Sequence, residues 1–174
     1  MTLDPCYLTL MLTLGIETSC DETSCAVLKD RDTILSNIIS SSLFRHQPFG
    51  GVVPEIASRH SLEQIDFVLA EALEEAKIQM KDLDLIAVTQ GPGLIGSLLV
   101  GVSFAKALAY QLDRPLVGVN HLEAHLAANF IGKKEPSEFI GLLVSGGHTS
   151  LVQYKNNHYD LLKGIRKPLS SYWI

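Results

Sequence analysis

An internal similarity constrains the fold of this chain more than any other feature of its sequence. The segment CAVLKDRDTIL after Thr23-Ser24 has a counterpart, LVQYKNNHYDL, after Thr149-Ser150, 126 positions later. Each segment follows an apolar stretch and a small polar turn, and each contains a polar tip between two apolar stretches, at residues 29–32 and 155–157. A duplicated lobe that starts each time with a β-hairpin explains both copies, although two hairpins can also be alike by chance.

The elements between the two copies predict an α/β fold. Three strands, at residues 12–16, 24–29 and 32–40, come first because these segments are rich in β-branched and apolar residues. A helical period with glutamates opposite the apolar positions then runs from Pro54 to about Met80. The later elements alternate between strand and helix: strand 85–89, helix 97–112, strand 116–119 and helix 121–130.

The two copies differ in how much chain follows them. Residues 11–130 suffice for a whole first lobe, whereas only 25 residues follow Thr149. Residues 131–174 are therefore expected to be the incomplete start of a second lobe. Residues 1–10 are interpreted as an extension, with Met11 as an internal start.

Composition and charge exclude several classes of protein. With 47% hydrophobic and 19% charged residues, the chain is globular and not disordered. The net charge of −5 argues against a free-standing nucleic-acid binder, because the overall field repels phosphate. A local tRNA patch remains a hypothesis for Arg45, His46, Arg59 and His60, with a solvated surface cluster as the alternative.

Cysteine usage and the lack of an export signal favour the cytoplasm. Cys6, Cys20 and Cys25 are odd in number and contain no C-x-x-C pair, which supports neither a disulfide framework nor a structural zinc site. The first Lys or Arg is Lys29, so the start lacks the basic region of a signal peptide. The uncharged run 85–105 is broken by Thr-Gln-Gly-Pro-Gly and predicts a strand, a loop and a buried helix, not a membrane span.

Two histidines form the first candidate site. His121 and His125 are four residues apart, so on a helix both imidazoles project from one face and can bind one metal ion. An exposed helix pair without a metal explains the same spacing. Glu123 does not follow the first histidine directly, as it does in the H-E-x-x-H metalloproteases, so peptide hydrolysis is disfavoured.

Three glycine-rich or acidic segments are further candidates. Residues 91–96 fit G-x-G-x-x-G, with Asp113 at the distance of a ribose-binding acid, but close helix packing or an anion at the helix start explains the glycines as well. The turn Ser145-Gly146-Gly147-His148-Thr149 suits either a phosphate or a plain hairpin. The matching turn, residues 17–23, suits either a magnesium ion and phosphate or a solvated acidic loop.

Five motifs in one order resemble a single family. They are IETSCDET at 16–23, GGVVPE at 50–55, GPG at 91–93, HLEAH at 121–125 and LVSGGHT at 143–149. Together they are similar to the universal tRNA threonylcarbamoyladenosine biosynthesis transferases, once labelled glycoproteases, over about residues 11–162. The combination is far more specific than any one motif.

The resemblance implies an actin-like, sugar-kinase-like fold of two ribonuclease-H-like lobes with a nucleotide cleft between them. It implies transfer of the threonylcarbamoyl group from threonylcarbamoyl-AMP to the N6 amine of the adenosine beside the anticodon, in tRNAs that read A-starting codons. The implied partners are tRNA, an inert paralogue, an accessory ATPase and the upstream threonylcarbamoyl-adenylate synthase. No membrane partner is implied, and the location is cytoplasmic.

The resemblance also assigns residues. His121 and His125 become ligands of one divalent metal ion, iron or zinc. A strand and turn become the binding site for the substrate, as ATP or the adenylate. Their residues are Leu143, Val144, Ser145, Gly146 and Gly147. Mg²⁺ is an additional candidate ion. The cleft residues without an assigned role are Glu17, Ser19, Asp21, Glu22 and Glu55.

The chain departs from the family pattern after its second hairpin. The family continues with Gly-x-Thr-x-Asp-Asp-Ala, whereas this chain reads KGIRKPLSSYWI and stops. The carboxylate of that segment and the third metal ligand, a later Asp, are missing, so this polypeptide alone is expected to bind metal weakly and to transfer little or nothing. A non-catalytic partner-binding module of the same complex is the alternative function.

Overall fold

The structure is a computed structural model that describes residues 11–134, 136–144, 148–156 and 158–166. The predicted extension at 1–10 and the tail 167–174 lie outside the described residues. The strands are β1 Leu12–Glu17, β2 Glu22–Lys29, β3 Thr33–Ser41, β4 Leu85–Gly91, β5 Leu116–Asn120, β6 Glu138–Val144, β7 His148–Lys155 and β8 His158–Arg166. The α-helices are α1 Leu43–His46, α2 Pro54–Ala76, α3 Ile95–Leu112 and α4 His121–Ala127.

The first sheet has five strands in the order β3-β2-β1-β4-β5. Strands β1, β2 and β3 form an antiparallel meander, whereas β4 pairs parallel with β1 and β5 pairs parallel with β4. Helix α2 connects β3 to β4, and α3 connects β4 to β5. The carboxyl ends of β1, β4 and β5 therefore meet at one edge of the sheet.

The core lies between this sheet and the two long helices. Leu14, Val27 and Ile86 are fully buried on the sheet, and the helices contribute the buried side chains of Val68 and Leu108 among others. Burial of each large aliphatic side chain stabilises the fold by about 1.5–3 kcal/mol. Helix α3 is long and apolar enough to cross a membrane by length and composition alone, but here it contacts α2 and β4.

The second sheet repeats the meander, with β6, β7 and β8 paired antiparallel in that order. The bounds of β7 equal those of β2 shifted by the 126 positions of the internal similarity. The tip residues Asp30 and Asn156 are equivalent by the same shift, and both adopt the left-handed conformation, with φ of 59° and 53°. The hairpin predicted at the start of each copy is confirmed, while the division into lobes at residue 130 stays a prediction.

The predicted elements are present, but some of their ends differ. Helix α2 ends at Ala76 and not near Met80, because Lys77 adopts a left-handed C-cap whose N–H reaches the Glu74 and Leu73 carbonyls. Helix α4 ends at Ala127, and a 3-10 turn continues to Phe130. The short helix α1 was not predicted, because four residues are too few to produce a helical period.

Candidate functional site

The candidate site lies at the edge where the parallel strands end. Glu17 is the last residue of β1, Thr89 lies near the end of β4, and Asn120 is the last residue of β5. His121 follows Asn120 directly as the first residue of α4. This edge is where ligands generally bind in open α/β sheets.

Asn120 sets the orientation of the histidine helix. Its side-chain oxygen accepts hydrogen bonds from the backbone N–H groups of Leu122 and Glu123, at 2.9 and 3.3 Å. This N-cap starts α4 immediately after the strand, so the first turn projects from the sheet edge. The sequence analysis missed Asn120, although an Asn directly before a helix is a recognised start signal.

The two histidines converge as their spacing predicts. The Nε2 atoms of His121 and His125 are 3.2 Å apart, and the ring centroids are 4.5 Å apart at an interplanar angle of 78°. Partial burial of the His125 ring, followed by the charge of the neighbouring His121, lowers the pKa of His125 below its ordinary value. Both effects favour the neutral imidazole, which is the form that binds metals.

Glu17 lies next to the other ring nitrogen of His121, Nδ1. Its Oε2 lies 3.3 Å from Nδ1 of His121, and Ser19 Oγ lies 3.0 Å from the same nitrogen. Burial opposes ionisation of Glu17, but hydrogen bonds with His121, Ser19 and Thr89 outweigh it and lower the pKa of the carboxyl to about 2. Glu17 is therefore a carboxylate at neutral pH. Thr89 was missed by the sequence analysis, and its place at the end of the neighbouring strand was the available signal.

The turn after β1 is fixed against α3. Thr18 Oγ1 donates a hydrogen bond to the Ser97 carbonyl at 2.8 Å, and the Ser19 carbonyl accepts one from Leu94 N–H at 2.7 Å. A Cβ on Gly93 would lie 2.5 Å from the Ser19 carbonyl oxygen, so only glycine allows this approach. The turn that carries Glu17 and Ser19 is thereby held in place.

The packing around the glycine-rich loop supports one of its interpretations. Gly93 and Gly96 approach Ser19 and Ser58 closely, which is the packing role. Asp113 is the C-cap of α3, at the far end of an 18-residue helix about 27 Å long, and cannot meet a ribose at the loop. The ribose-binding role of Asp113 is therefore wrong, whereas an anion at the start of α3 stays a prediction.

The histidine pair fits a metal ion as two ligands of a larger set. Two nitrogens bound to one tetrahedral zinc ion at about 2.0–2.1 Å lie about 3.3 Å apart, close to the observed separation. Within the described part of the chain, no group of three or more His, Cys, Asp and Glu residues could hold a metal. Burial raises the pKa of the Cys20 and Cys25 thiols to about 12, so neither offers a thiolate at neutral pH.

The other predicted site residues lie in different surroundings. Asp21 is half-buried, and its carbonyl accepts hydrogen bonds from the backbone and hydroxyl of Ser42. Glu22 and Glu55 are exposed, at the start of β2 and in the first turn of α2. Leu143 is half-buried and Val144 exposed at the end of β6. The predicted turn residues Ser145, Gly146 and Gly147 lie outside the described residues.

The hypothesis of a basic patch is wrong for its histidines, and so is the alternative of a solvated cluster. His46 is 2% exposed; its Nδ1 accepts a hydrogen bond from Val53 N–H, and its Nε2 contacts Ser42 Oγ. His60 is 4% exposed, and burial lowers its pKa. Arg45 forms an ion pair with Glu63 at 2.9 Å. Both histidines therefore support the fold, and Arg59 is left as an exposed cation.

Comparison with solved structures identifies the fold. YeaZ from Pseudomonas aeruginosa matches 93% of this chain and 72% of its own, with a TM-score of 0.57 and 16% identity. A second structure, an uncharacterised protein with similarity to peptidase YeaZ from Pseudomonas aeruginosa, matches 95% of this chain and 71% of its own, with a TM-score of 0.60 and 17% identity. The predicted actin-like α/β fold class is confirmed.

Comparison of sequences identifies the family. The family model described as TsaD, tRNA N6-adenosine threonylcarbamoyltransferase, matches residues 33–170. A relative of that name from Clostridioides difficile is 56% identical over 92% of this chain and 48% of its own length. Another from Thermodesulfovibrio yellowstonii is 58% identical over 89% of this chain and 46% of its own. The chain spans about half the length of these curated relatives, and it belongs to the tRNA N6-adenosine threonylcarbamoyltransferase family.

Proposed function

We propose that this chain supplies the metal-binding half of an enzyme that transfers the threonylcarbamoyl group from threonylcarbamoyl-AMP to tRNA. The acceptor is the N6 amine of the adenosine beside the anticodon, in tRNAs that read A-starting codons. The observation that carries the proposal is the His121–His125 pair, whose Nε2 atoms lie 3.2 Å apart in a chain of this family. The tRNA-modifying role also makes the cytoplasm the expected location.

The two histidines would hold one divalent ion, iron or zinc, through their Nε2 atoms. When bound, the ion would supply Lewis-acid chemistry that polarises the carbamoyl-adenylate. The histidines contribute position as well, because the Asn120 cap and the sheet edge hold α4 before any ligand arrives. Two protein ligands leave coordination positions for the substrate or for residues of the other half of the enzyme.

The turns after β1 and β6 would hold ATP or the adenylate. Ser19 and Asp21 lie in the first turn, and Glu22 and Glu55 lie at the starts of β2 and α2. Leu143 and Val144 end β6, directly before residues 145–147, which the sequence predicts to form the second turn and which the internal similarity makes equivalent to the first. Hydroxyls and backbone N–H groups are suitable donors to phosphate, and the acidic residues are suitable oxygen ligands for Mg²⁺.

The partners of the proposed enzyme are tRNA, an inert paralogue, an accessory ATPase and threonylcarbamoyl-adenylate synthase. Helices α2 and α3 are the proposed surface for the paralogue, because the two helices are in contact and each exposes large apolar side chains. These side chains are Leu62, Phe67, Ile95, Leu99 and Tyr110. Exposed apolar side chains on neighbouring helices favour a protein partner over solvent.

Incorporation of labelled threonine into unmodified tRNA tests the function. The reaction contains ATP, bicarbonate, the synthase, the ATPase and the paralogue, with this chain alone or with the part of the Clostridioides difficile relative that it does not match. We expect label above background only when that part is added, because the two histidines belong to no group of three or more metal-binding residues in the described part of the chain. His121→Ala should abolish the label.

Two controls make the result decisive. Circular dichroism checks that wild type and His121→Ala are equally folded, and the whole relative serves as the positive control. Label that survives His121→Ala would contradict a catalytic histidine pair. No label with both halves present, from a folded chain that still binds the paralogue, would favour the alternative of a non-catalytic docking module.

A further inference from the structure

The two ring nitrogens of His121 have different surroundings. Nδ1 faces Glu17 Oε2 at 3.3 Å and Ser19 Oγ at 3.0 Å, on the side of the sheet edge. Nε2 faces away from them, toward His125 Nε2 at 3.2 Å. One nitrogen therefore lies among oxygen atoms of the fold, and the other lies at the candidate metal position.

The charge of Glu17 decides which nitrogen carries the proton. The ordinary pKa of a glutamate carboxyl is about 4.3, so at neutral pH Glu17 is a carboxylate and both of its oxygens only accept hydrogen bonds. A lone pair on Nδ1 would face this carboxylate and be repelled, whereas an N–H at Nδ1 donates to it. Ser19 is compatible with the second arrangement, because its backbone N–H and its hydroxyl both donate to Glu17.

We propose that Glu17 is a positioning residue that holds His121 in the Nδ1–H tautomer and so leaves the Nε2 lone pair free to bind a divalent metal ion. A carboxylate behind a ligand histidine fixes the tautomer and ring orientation and raises the basicity of the binding nitrogen. The inference rests on the metal site of the proposed function. It assigns a role to a cleft residue that the motif alone left without one.

The partner histidine differs from His121 in this respect. With Nδ1 of His121 protonated, the 3.2 Å contact between the Nε2 atoms requires His125 to donate and His121 to accept. His125 is exposed and carries its proton on the nitrogen that must bind the metal. His121 is therefore ready for metal binding, whereas His125 must first move its proton to Nδ1.

Long-range ¹H–¹⁵N correlation spectra of the imidazoles test the tautomer directly. They are recorded on the chelator-treated chain at about pH 8, where unperturbed histidines are neutral, and His121→Asn identifies the signals of residue 121. We expect Nδ1–H on His121 and Nε2–H on His125 in the wild type. Glu17→Gln should shift His121 toward Nε2–H. A wild-type His121 that is protonated on Nε2, or a tautomer unchanged by Glu17→Gln, would overturn the proposal.

Zinc titration without any substrate gives a second readout. Glu17→Gln should weaken Zn²⁺ binding by about 10-fold, within the range found when such supporting carboxylates are removed. Glu123→Gln is the matched control, because it makes the same change of charge two residues from His121 on α4 and Glu123 completes no metal group with the pair. It should weaken binding by less than about 3-fold, since it leaves the His121 contact intact.

The two readouts separate the failure of this inference from the failure of the proposed function. Zinc binding that is equal in wild type and Glu17→Gln would overturn the positioning role while leaving the metal site in place. No zinc binding by the folded wild type would instead contradict the metal site, and the tautomer spectra would still decide the role of Glu17.

Discussion

The two meanders of this chain, β1–β3 and β6–β8, have similar strands and turns but differ in how helices pack on them. Strands β2 and β7 are both eight residues long, and both are followed by a left-handed polar residue, Asp30 or Asn156. Helix α2 packs on β2 and β3, so the first meander contributes Leu14 and Val27 to a fully buried core. In the second meander, alternate residues of β6 remain exposed: Ile140 by 65%, Leu142 by 63% and Val144 by 71%.

This difference separates what forms a hairpin from what stabilises it. Strand alternation and a left-handed tip are local properties, and both copies have them. The packing of helices over a sheet depends on the surrounding chain. In the first meander, helices pack over a whole face. The second sheet is in contact with the rest of the described protein mainly through its other face, where Gly141 meets Leu126 of α4 and Phe139 meets Phe130.

Isoleucine-to-alanine substitutions in the two sheets should differ most in their effect on the free energy of unfolding. Ile86→Ala removes a fully buried side chain of β4 and is expected to reduce the free energy of unfolding by about 2–5 kcal/mol. Ile140→Ala removes an exposed side chain of β6 and should change it by no more than about 0.5 kcal/mol. Urea unfolding followed by circular dichroism measures both values.

An equal loss of unfolding free energy from the two substitutions would contradict the difference in burial between the two sheets. They would mean that the apolar face of β6 is covered in solution, for example by self-association. Sedimentation of the Ile140→Ala variant and the wild type, over a range of protein concentrations, would then identify the association.

The tips of the hairpins give a smaller and more symmetrical test. At a left-handed position, glycine avoids the steric cost of a Cβ, so Asp30→Gly and Asn156→Gly should each be more stable than the Ala variant at the same position, by about 0.5–1 kcal/mol. The comparison of Gly with Ala cancels the loss of the hydrogen bond from Met11 N–H to Asp30 Oδ1, because both variants at position 30 lack the carboxylate. Amide hydrogen exchange in β2 and β7 measures each tip separately. A preference for Gly at only one tip would disprove their equivalence.

The sequence predicted those parts of the fold that depend on local pattern. Strands, long helices and both hairpins are confirmed, because alternation, helical period and turn residues act over a few positions. The burial of His46 and His60 was not predictable in this way. Their partners, Val53 N–H and Ser40 Oγ, lie outside the helices that carry the two histidines. Without knowledge of such partners, a histidine is predicted to be an exposed polar residue.

The candidate site was predicted in part for the same reason. The His121–His125 pair follows from spacing on one helix, whereas Glu17 is 104 positions from His121. The two meet because β1 and β5 are parallel and end at one edge of the sheet. Strand order was the missing information, since a prediction that β1, β4 and β5 are adjacent would have placed Glu17, Thr89 and His121 together.

A buried histidine of the first region should make the stability of the chain depend on pH. His60 is a buried residue of α2 that faces β3 of the first meander, and burial lowers its pKa from the ordinary value of about 6.5. The unfolded chain therefore binds the His60 proton more readily than the folded chain does. The contribution of His60 is fully present above about pH 6.5 and is lost as the pH falls toward the lower folded pKa.

Urea unfolding between about pH 5 and pH 8 measures this dependence. His60→Gln should flatten the loss of stability on acidification, because glutamine has no proton to take up. His158→Gln controls for the replacement of a histidine by glutamine, at a side chain of the second sheet that is 74% exposed. Arg45, Glu63 and His46 also act on the charge of His60 and remain in both variants. A slope unchanged by His60→Gln would mean that His60 gains a solvated or paired charge in the folded chain, and that α2 covers this part of the first meander less tightly than the contacts indicate.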